Sequence, residues 1–292
     1  MSVKMKVSKR TKHLNRSFGG NMGVVLVIGV FGAFMLMPMI YTIVQSIKPL
    51  DELWVFPPRF FTVRNPTMTN FQDLFRLLDD SMVPFSRYLF NTVLISVTGT
   101  GGHVILASMC AYALSKHKFP GSKFMFQAVV TALLFNGTVL NIPNFMMITW
   151  LNLLDNPLAF IIPALGSSLG LYLMKQFMEQ MVKDDILEAA RIDGAGEMRI
   201  FWGIVMPMVK PGWLTLIIFS FQGLWNLSAN SYIFSESLKT LNYAMSQILA
   251  GGVARAGVGA AASVIMLVVP VTLFIVTQSN VVETMGASGM KE

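Results

Sequence analysis

Charge is scarce in this sequence: 13% of its 292 residues are Asp, Glu, Lys or Arg. Soluble domains carry roughly twice that share, which argues against a soluble globular enzyme. Cysteine is nearly missing as well. Cys110 stands alone inside an apolar run, which excludes a disulfide framework and a cysteine-based zinc site; it reads as a small core residue. Histidine is limited to His13, His103 and His117, too scattered for a metal trio, so no metal site is expected. No stretch fits G-x-x-x-x-G-K-[ST], so the phosphate-cradling loop of an ATPase is absent. Neither a Ser-His-Asp set nor a pair of working carboxylates is visible. No catalytic residue is expected, and the chain reads as non-enzymatic.

What fills the sequence instead is apolar, at 54% hydrophobic residues and a mean hydropathy of +0.60. The apolar residues fall in long runs, each near the roughly 20 residues that cross a bilayer core. Six spans are predicted: Met22–Ile47, Tyr88–Leu114, Phe124–Trp150, Leu158–Met178, Trp213–Phe234 and Val258–Val282. The first is too long for a signal-peptide core and reads as a retained span. The net charge of +7 could suggest nucleic acid, but the bases are placed otherwise. Lys4, Lys6, Lys9, Arg10, Lys12 and Arg16 precede the first span. Lys116, Lys118 and Lys123 follow the second; Lys183, Arg191, Arg199 and Lys210 follow the fourth. That pattern places these segments and both termini in the cytoplasm.

One inner passage differs from its surroundings. DDILEAARIDGAGEMRIFWGIVMPMVKP, from Asp184 to Pro211, alternates charge with small residues. Asp184 or Asp185 can cap a helix, with Glu188 placed as in a capping box. Ile186, Leu187 and Ala190 share one face, Glu188 and Arg191 another. Gly194 is placed to end the helix in a left-handed conformation, and a second short helix should run from Glu197 to Val205. Ala189 and Ala190 keep the profile slim, which suits docking into a groove. An interfacial helix lying on lipid is the alternative, disfavoured because the passage is acidic and lacks a lysine stripe.

The residues Glu188-Ala189-Ala190, then Gly194, Ile204 and Met206-Pro207 resemble the EAA loop of ABC importer permeases, with Met206 where that family carries Leu. Further stretches resemble the MalG-like carbohydrate permeases: SIKPLDELWVFPPRF, Asn91, AYALSKHKFPGSK, Leu224–Asn226, and Pro270 to Gln278. The resemblance implies an all-α membrane protein of the type I ABC importer permease fold. A basic N-terminus (1–21) would precede a single transmembrane permease domain (22–292), with the ABC core at about 86–282 and the coupling loop at 181–211. In such a protein Glu188, Ala189, Ala190, Asp193, Gly194, Ile204 and Pro207 meet an ATPase dimer. The ATP and Mg belong to that partner; this chain holds no cofactor. A second, homologous permease and an extracytoplasmic solute-binding protein are the other implied partners.

The nature of the solute follows from what the spans contain. Ion-coupled carriers bury acids near the midplane, yet here the acids stay in loops and at span ends. Asn136, Asn141 and Asn144 in span three, and Gln222, Trp225, Asn226 and Asn230 in span five, offer amides and an aromatic face. These suit an uncharged polyhydroxyl solute, a sugar or oligosaccharide; helix-to-helix hydrogen bonding is the competing role. Another neutral solute, or an ATP-independent carrier, are the alternatives. His103 is expected to bond a neighbouring helix, and Gly99–Gly102 to serve close packing. Arg255, in the outer segment 235–257, is a candidate contact for the binding protein.

Overall fold

The computed structural model describes residues 18–57, 59–79, 83–135, 137–228 and 231–288, and these contain helices and no strands. The basic leader through Arg16 lies outside them. Four helices are long and apolar enough to cross a membrane, or six spans if each of two bent pairs counts as one. The first, α1 (Phe18–Ser46), is apolar on every side. None of its most apolar stretch is buried by the rest of the chain, so only one stripe packs, against the last helix. Short helices α2 (Leu50–Leu53) and α3 (Thr69–Asp79) follow.

Helix α4 (Phe85–Lys116) is the hub. It packs against α7 (Leu158–Leu165), α8 (Ser168–Met181) and α12 (Lys210–Trp225). Its glycines permit this. A Cβ on Gly99 would lie 2.6 Å from Leu224 Cδ1, and one on Gly102 2.5 Å from Leu165 Cδ2, the close approach small residues allow between membrane helices. Between them His103, 2% exposed, meets the Leu165 carbonyl through Nδ1 at 3.1 Å. That carbonyl is freed where α7 gives way to α8, so the expected inter-helix bond mends a break in span four. Cys110 departs from expectation: it is exposed, on a side of α4 turned away from these neighbours.

Spans three and five also differ from the sequence reading. The third is two helices, α5 (Ser122–Ala132) and α6 (Gly137–Trp150), meeting at 112°. Both arms are apolar, so hydropathy does not register the bend; the break ends at Gly137, a poor helix former. The fifth is shorter than Trp213–Phe234. Helix α12 ends at Trp225 and is preceded by α10 (Glu197–Ile200), a π turn (Phe201–Val205) and α11 (Met206–Met208), bent from it by 79°. Pro207 and Pro211 bracket that bend, each lacking the N–H that a continuous helix needs. Between α8 and α10 lies α9 (Asp184–Ile192).

At the other end of the molecule, α13 (Leu241–Leu249) is the amphipathic middle of the loop before α14 (Ala256–Ser288). Leu74, Leu78, Tyr88, Leu241, Met245, Ile248, Ala261 and Ala262 form one buried cluster there. The Asn70 amide donates to the carbonyls of Ser46 (2.9 Å) and Lys48 (2.7 Å). Gly257 leaves room for it, since a Cβ would come within 2.4 Å of Asn70 Oδ1.

Candidate functional site

The segment 181–211 forms at the Lys116 end of α4. Leu187 and Ala190 are buried beneath α9, while Glu188, Ala189 and Asp193 face outward. Ile186, expected on the buried face, is 38% exposed. Gly194 has φ +81°. Around it the Ala195 N–H returns to the Ala190 carbonyl and the Gly194 N–H to that of Arg191, each at 3.0 Å. This is the Schellman ending, in which a left-handed residue satisfies the last carbonyls. Ile204 is half-buried in the π turn and packs with Met206 onto the cluster of Leu187, Ala190 and Ile200; Pro207 is exposed. Of the loop residues singled out, the structure gathers Glu188, Ala189, Asp193 and Gly194 on one exposed surface and sets Ala190 and Ile204 underneath.

The start of α9 departs from the expected capping box. Lys183 precedes the helix and no side chain caps it. Asp184 Oδ1 instead accepts from Lys116 Nζ at 2.8 Å, and the same ammonium reaches the Val182 carbonyl at 2.6 Å. A charge-assisted bond to a lysine side chain only 6% exposed outcompetes a neutral amide cap. Lys116 holds the Asp184 carboxyl below its usual range, through that hydrogen bond first and its charge second. After Gly194, Glu197 binds Arg191 Nε (2.7 Å) and the Tyr112 hydroxyl (2.7 Å), with His117 Nε2 at 3.5 Å. Tyr112, Asp184 and Glu197 were not singled out as functional in the sequence, because each partner lies far off in the chain or across a turn.

The polar residues of spans three and five divide into groups. Asn136 and Asn230 lie outside the described residues. Asn141 and Asn144 are exposed on α6. Gln222 and Asn226 line a cavity of about 290 Å³ with Asn242, Ser263, Met245, Leu249, Met266, Leu267 and Pro270. Trp225 turns away from it. Its ring is 1% exposed, its indole N–H donates to the Met266 carbonyl at 3.1 Å, and it stacks on Phe221 at 5.5 Å. Asn242 and Ser263 come from α13 and α14, which the sequence did not join to span five. Asn242 Nδ2 donates to the Asn226 carbonyl at 2.5 Å, tying the loop helix to the end of α12. Arg255 sits exposed in a 3-10 turn, Gly252–Arg255, just before α14.

The loop that carries these residues is fixed to α4. Asn91 donates to the carbonyls of Ser237 (2.9 Å) and Lys239 (3.0 Å), and Thr92 Oγ1 accepts the Leu241 N–H at 2.7 Å. Asp155 accepts the N–H groups of Phe234 (3.0 Å) and Ser235 (2.8 Å) and the Ser235 hydroxyl. These bonds, the Ser235 hydroxyl foremost, hold its carboxyl below the usual range.

Fold and site together define a helical membrane protein with a short helix exposed on one face at one end and an amide-lined cavity between α12, α13 and α14. Residues 103–284 match the model of the binding-protein-dependent transport system inner membrane component. Over 205 residues the chain is 31% identical to the sn-glycerol-3-phosphate transport system permease protein UgpE of Yersinia enterocolitica, covering 70% of this chain and 71% of that one. Over 223 residues it is 26% identical to the diacetylchitobiose uptake system permease protein NgcG of Streptomyces coelicolor, covering 76% and 70%. Its fold superposes on a chain of a bacterial ABC transporter involved in the import of the acidic polysaccharide alginate. That match has a TM-score of 0.76 and 23% identity, over 90% of this chain and 98% of that one. The chain belongs to the binding-protein-dependent transport system inner membrane component family.

Proposed function

We propose that this chain is the permease subunit of an ATP-driven importer for a neutral sugar or oligosaccharide. The observation that carries the reading is the outward face of α9, where Glu188 and Ala189 stand exposed and Gly194 turns the chain back. Glu188 offers a charged rim contact, Ala189 a close fit, and Asp193 and Gly194 the turn. Ala190, Ile204 and Pro207 support that surface from below and behind. A separate ATPase dimer carries the ATP and Mg and docks here, on the cytoplasmic side with both termini. A second permease completes the pore, and a solute-binding protein delivers the solute to the opposite side, where Arg255 stands exposed.

The cavity supports a neutral solute. Among the described residues its lining includes Gln222, Asn226, Asn242 and Ser263 and no Lys, Arg, Asp or Glu. An anionic solute such as a glycerol phosphate would require a counter-charge there, so the name of the diacetylchitobiose permease is the closer chemical guide. Asn141 and Asn144, exposed on α6, extend the polar route. Trp225 acts as a strut that sets α12 against α14. The test is affinity purification of the tagged chain in mild detergent, with the co-purifying chains counted. Two copies of an ATP-binding chain and one related permease are expected; recovery of this chain alone overturns the reading.

A further inference from the structure

We infer that α4, and neither of the helices flanking the loop in sequence, receives the movement of α9, through a two-point attachment at Tyr112 and Lys116. The inference rests on the reading of α9 as the ATPase-docking helix. The loop leaves α8 at Met181 and rejoins α12 at Lys210, so chain connectivity alone would send force into those two. The polar attachments run elsewhere. Tyr112 and Lys116 are four residues apart on α4 and therefore lie on one face, a turn from each other.

Lys116 grips the start of α9 through Asp184 (2.8 Å); its bond to the Val182 carbonyl (2.6 Å) holds the end of α8 and is untouched by substitution of Asp184. Tyr112 grips its end through Glu197, whose second oxygen holds Arg191 of α9 at 2.7 Å. His117 backs this second grip, 3.5 Å from Glu197 and edge-on to the Tyr112 ring at 5.1 Å. Between the two grips Leu187 and Ala190 join a buried cluster shared by Ala111 and Tyr112 of α4, Met174 and Met178 of α8 and Leu216 of α12, so it is the polar grips that single out α4. One attachment would leave a pivot. Two at opposite ends of a nine-residue helix make α4 follow its rotation as well as its translation.

The far end of α4 is joined to the cavity. Thr92 holds the first N–H of α13, which carries Asn242, and α12, which carries Gln222 and is capped by Asn226, packs against α4. The grips add little to stability, because their carboxylates stand largely in solvent, Glu197 47% and Asp184 75% exposed, where ion pairs are weak. Asp184→Asn and Glu197→Gln therefore remove the grips without unfolding the chain.

The experiment is pulsed electron-electron distance measurement on the purified complex with its co-purifying ATPase, with and without a non-hydrolysable ATP analogue. Spin labels are placed in pairs on exposed Ile186 of α9, Met109 of α4 and Val268 of α14, with Cys110 replaced by Ser. In the otherwise unsubstituted chain the 186–268 distance should shift with nucleotide while the 186–109 distance holds. In the D184N/E197Q double variant the 186–109 distance should become nucleotide-dependent, as it should when Tyr112→Phe replaces Glu197→Gln in that pair. A nucleotide-dependent 186–109 distance before substitution overturns the attachment, as does a constant one in the double variant. A 186–268 distance indifferent to nucleotide overturns the docking reading itself, and the attachment with it.

Discussion

Gly194 is the residue on which the proposed docking surface turns. At φ +81° a side chain costs about 1–2 kcal/mol per residue, and the Schellman bonds depend on that conformation. Gly194→Asp should reach the membrane normally yet lose its ATPase on purification, read by gel quantitation of the complex. A normal yield of ATPase would dismiss the role. Gly194 was legible in the sequence because it closes an amphipathic repeat at the position where only glycine is relaxed. Trp225 and Asn226 show the limit of such reading. They are adjacent and polar, but Trp225 is buried with its indole bonded while Asn226 faces the cavity. Trp225→Ala should therefore cost stability, about 3–5 kcal/mol for a fully buried aromatic, seen as a lower melting temperature in detergent. Gln222→Ala with Asn226→Ala should melt near the parent and import poorly; an unaffected import rate would relegate both amides to packing.

At the scale of elements, the helices that crossed on hydropathy alone were legible to within a few residues. Helix α14 is the clearest case: a continuous apolar run with Pro270 tolerated inside it. The bends were not legible, because an average over an apolar window is the same for a straight helix and for two arms at 112°. The attachment of α9 was equally hidden. Lys116 read as a topology marker and Asp184 as a cap, and the bond between them spans 68 positions of sequence. That bond gives a pH dependence with a definite sign. Lys116 lowers the Asp184 carboxyl, so the attachment is complete above the ordinary aspartate value of about 3.9 and is lost as pH falls through the lowered value. The 186–109 label distance should broaden in that acidic range, and Asp184→Asn should be broad at every pH. An Asp184→Asn distribution as narrow as that of the parent at neutral pH would contradict the grip.

For the whole molecule, composition already argued for a membrane protein, and the spacing from Glu188 to Pro207 pointed to the family that the comparisons establish. The cavity proposed to face the solute was the least legible part. It is assembled from α12, α13 and α14, and from residues such as Asn242 and Ser263 whose meaning appears only once those helices meet. The account makes this chain a passive half of a machine driven from outside the membrane. The most direct measurement is uptake by proteoliposomes holding the purified complex, with the binding protein and labelled neutral oligosaccharides outside and either ATP or an imposed ion gradient as the energy source. The account predicts accumulation with internal ATP and none with the gradient alone. Accumulation driven by the ion gradient without ATP would contradict it.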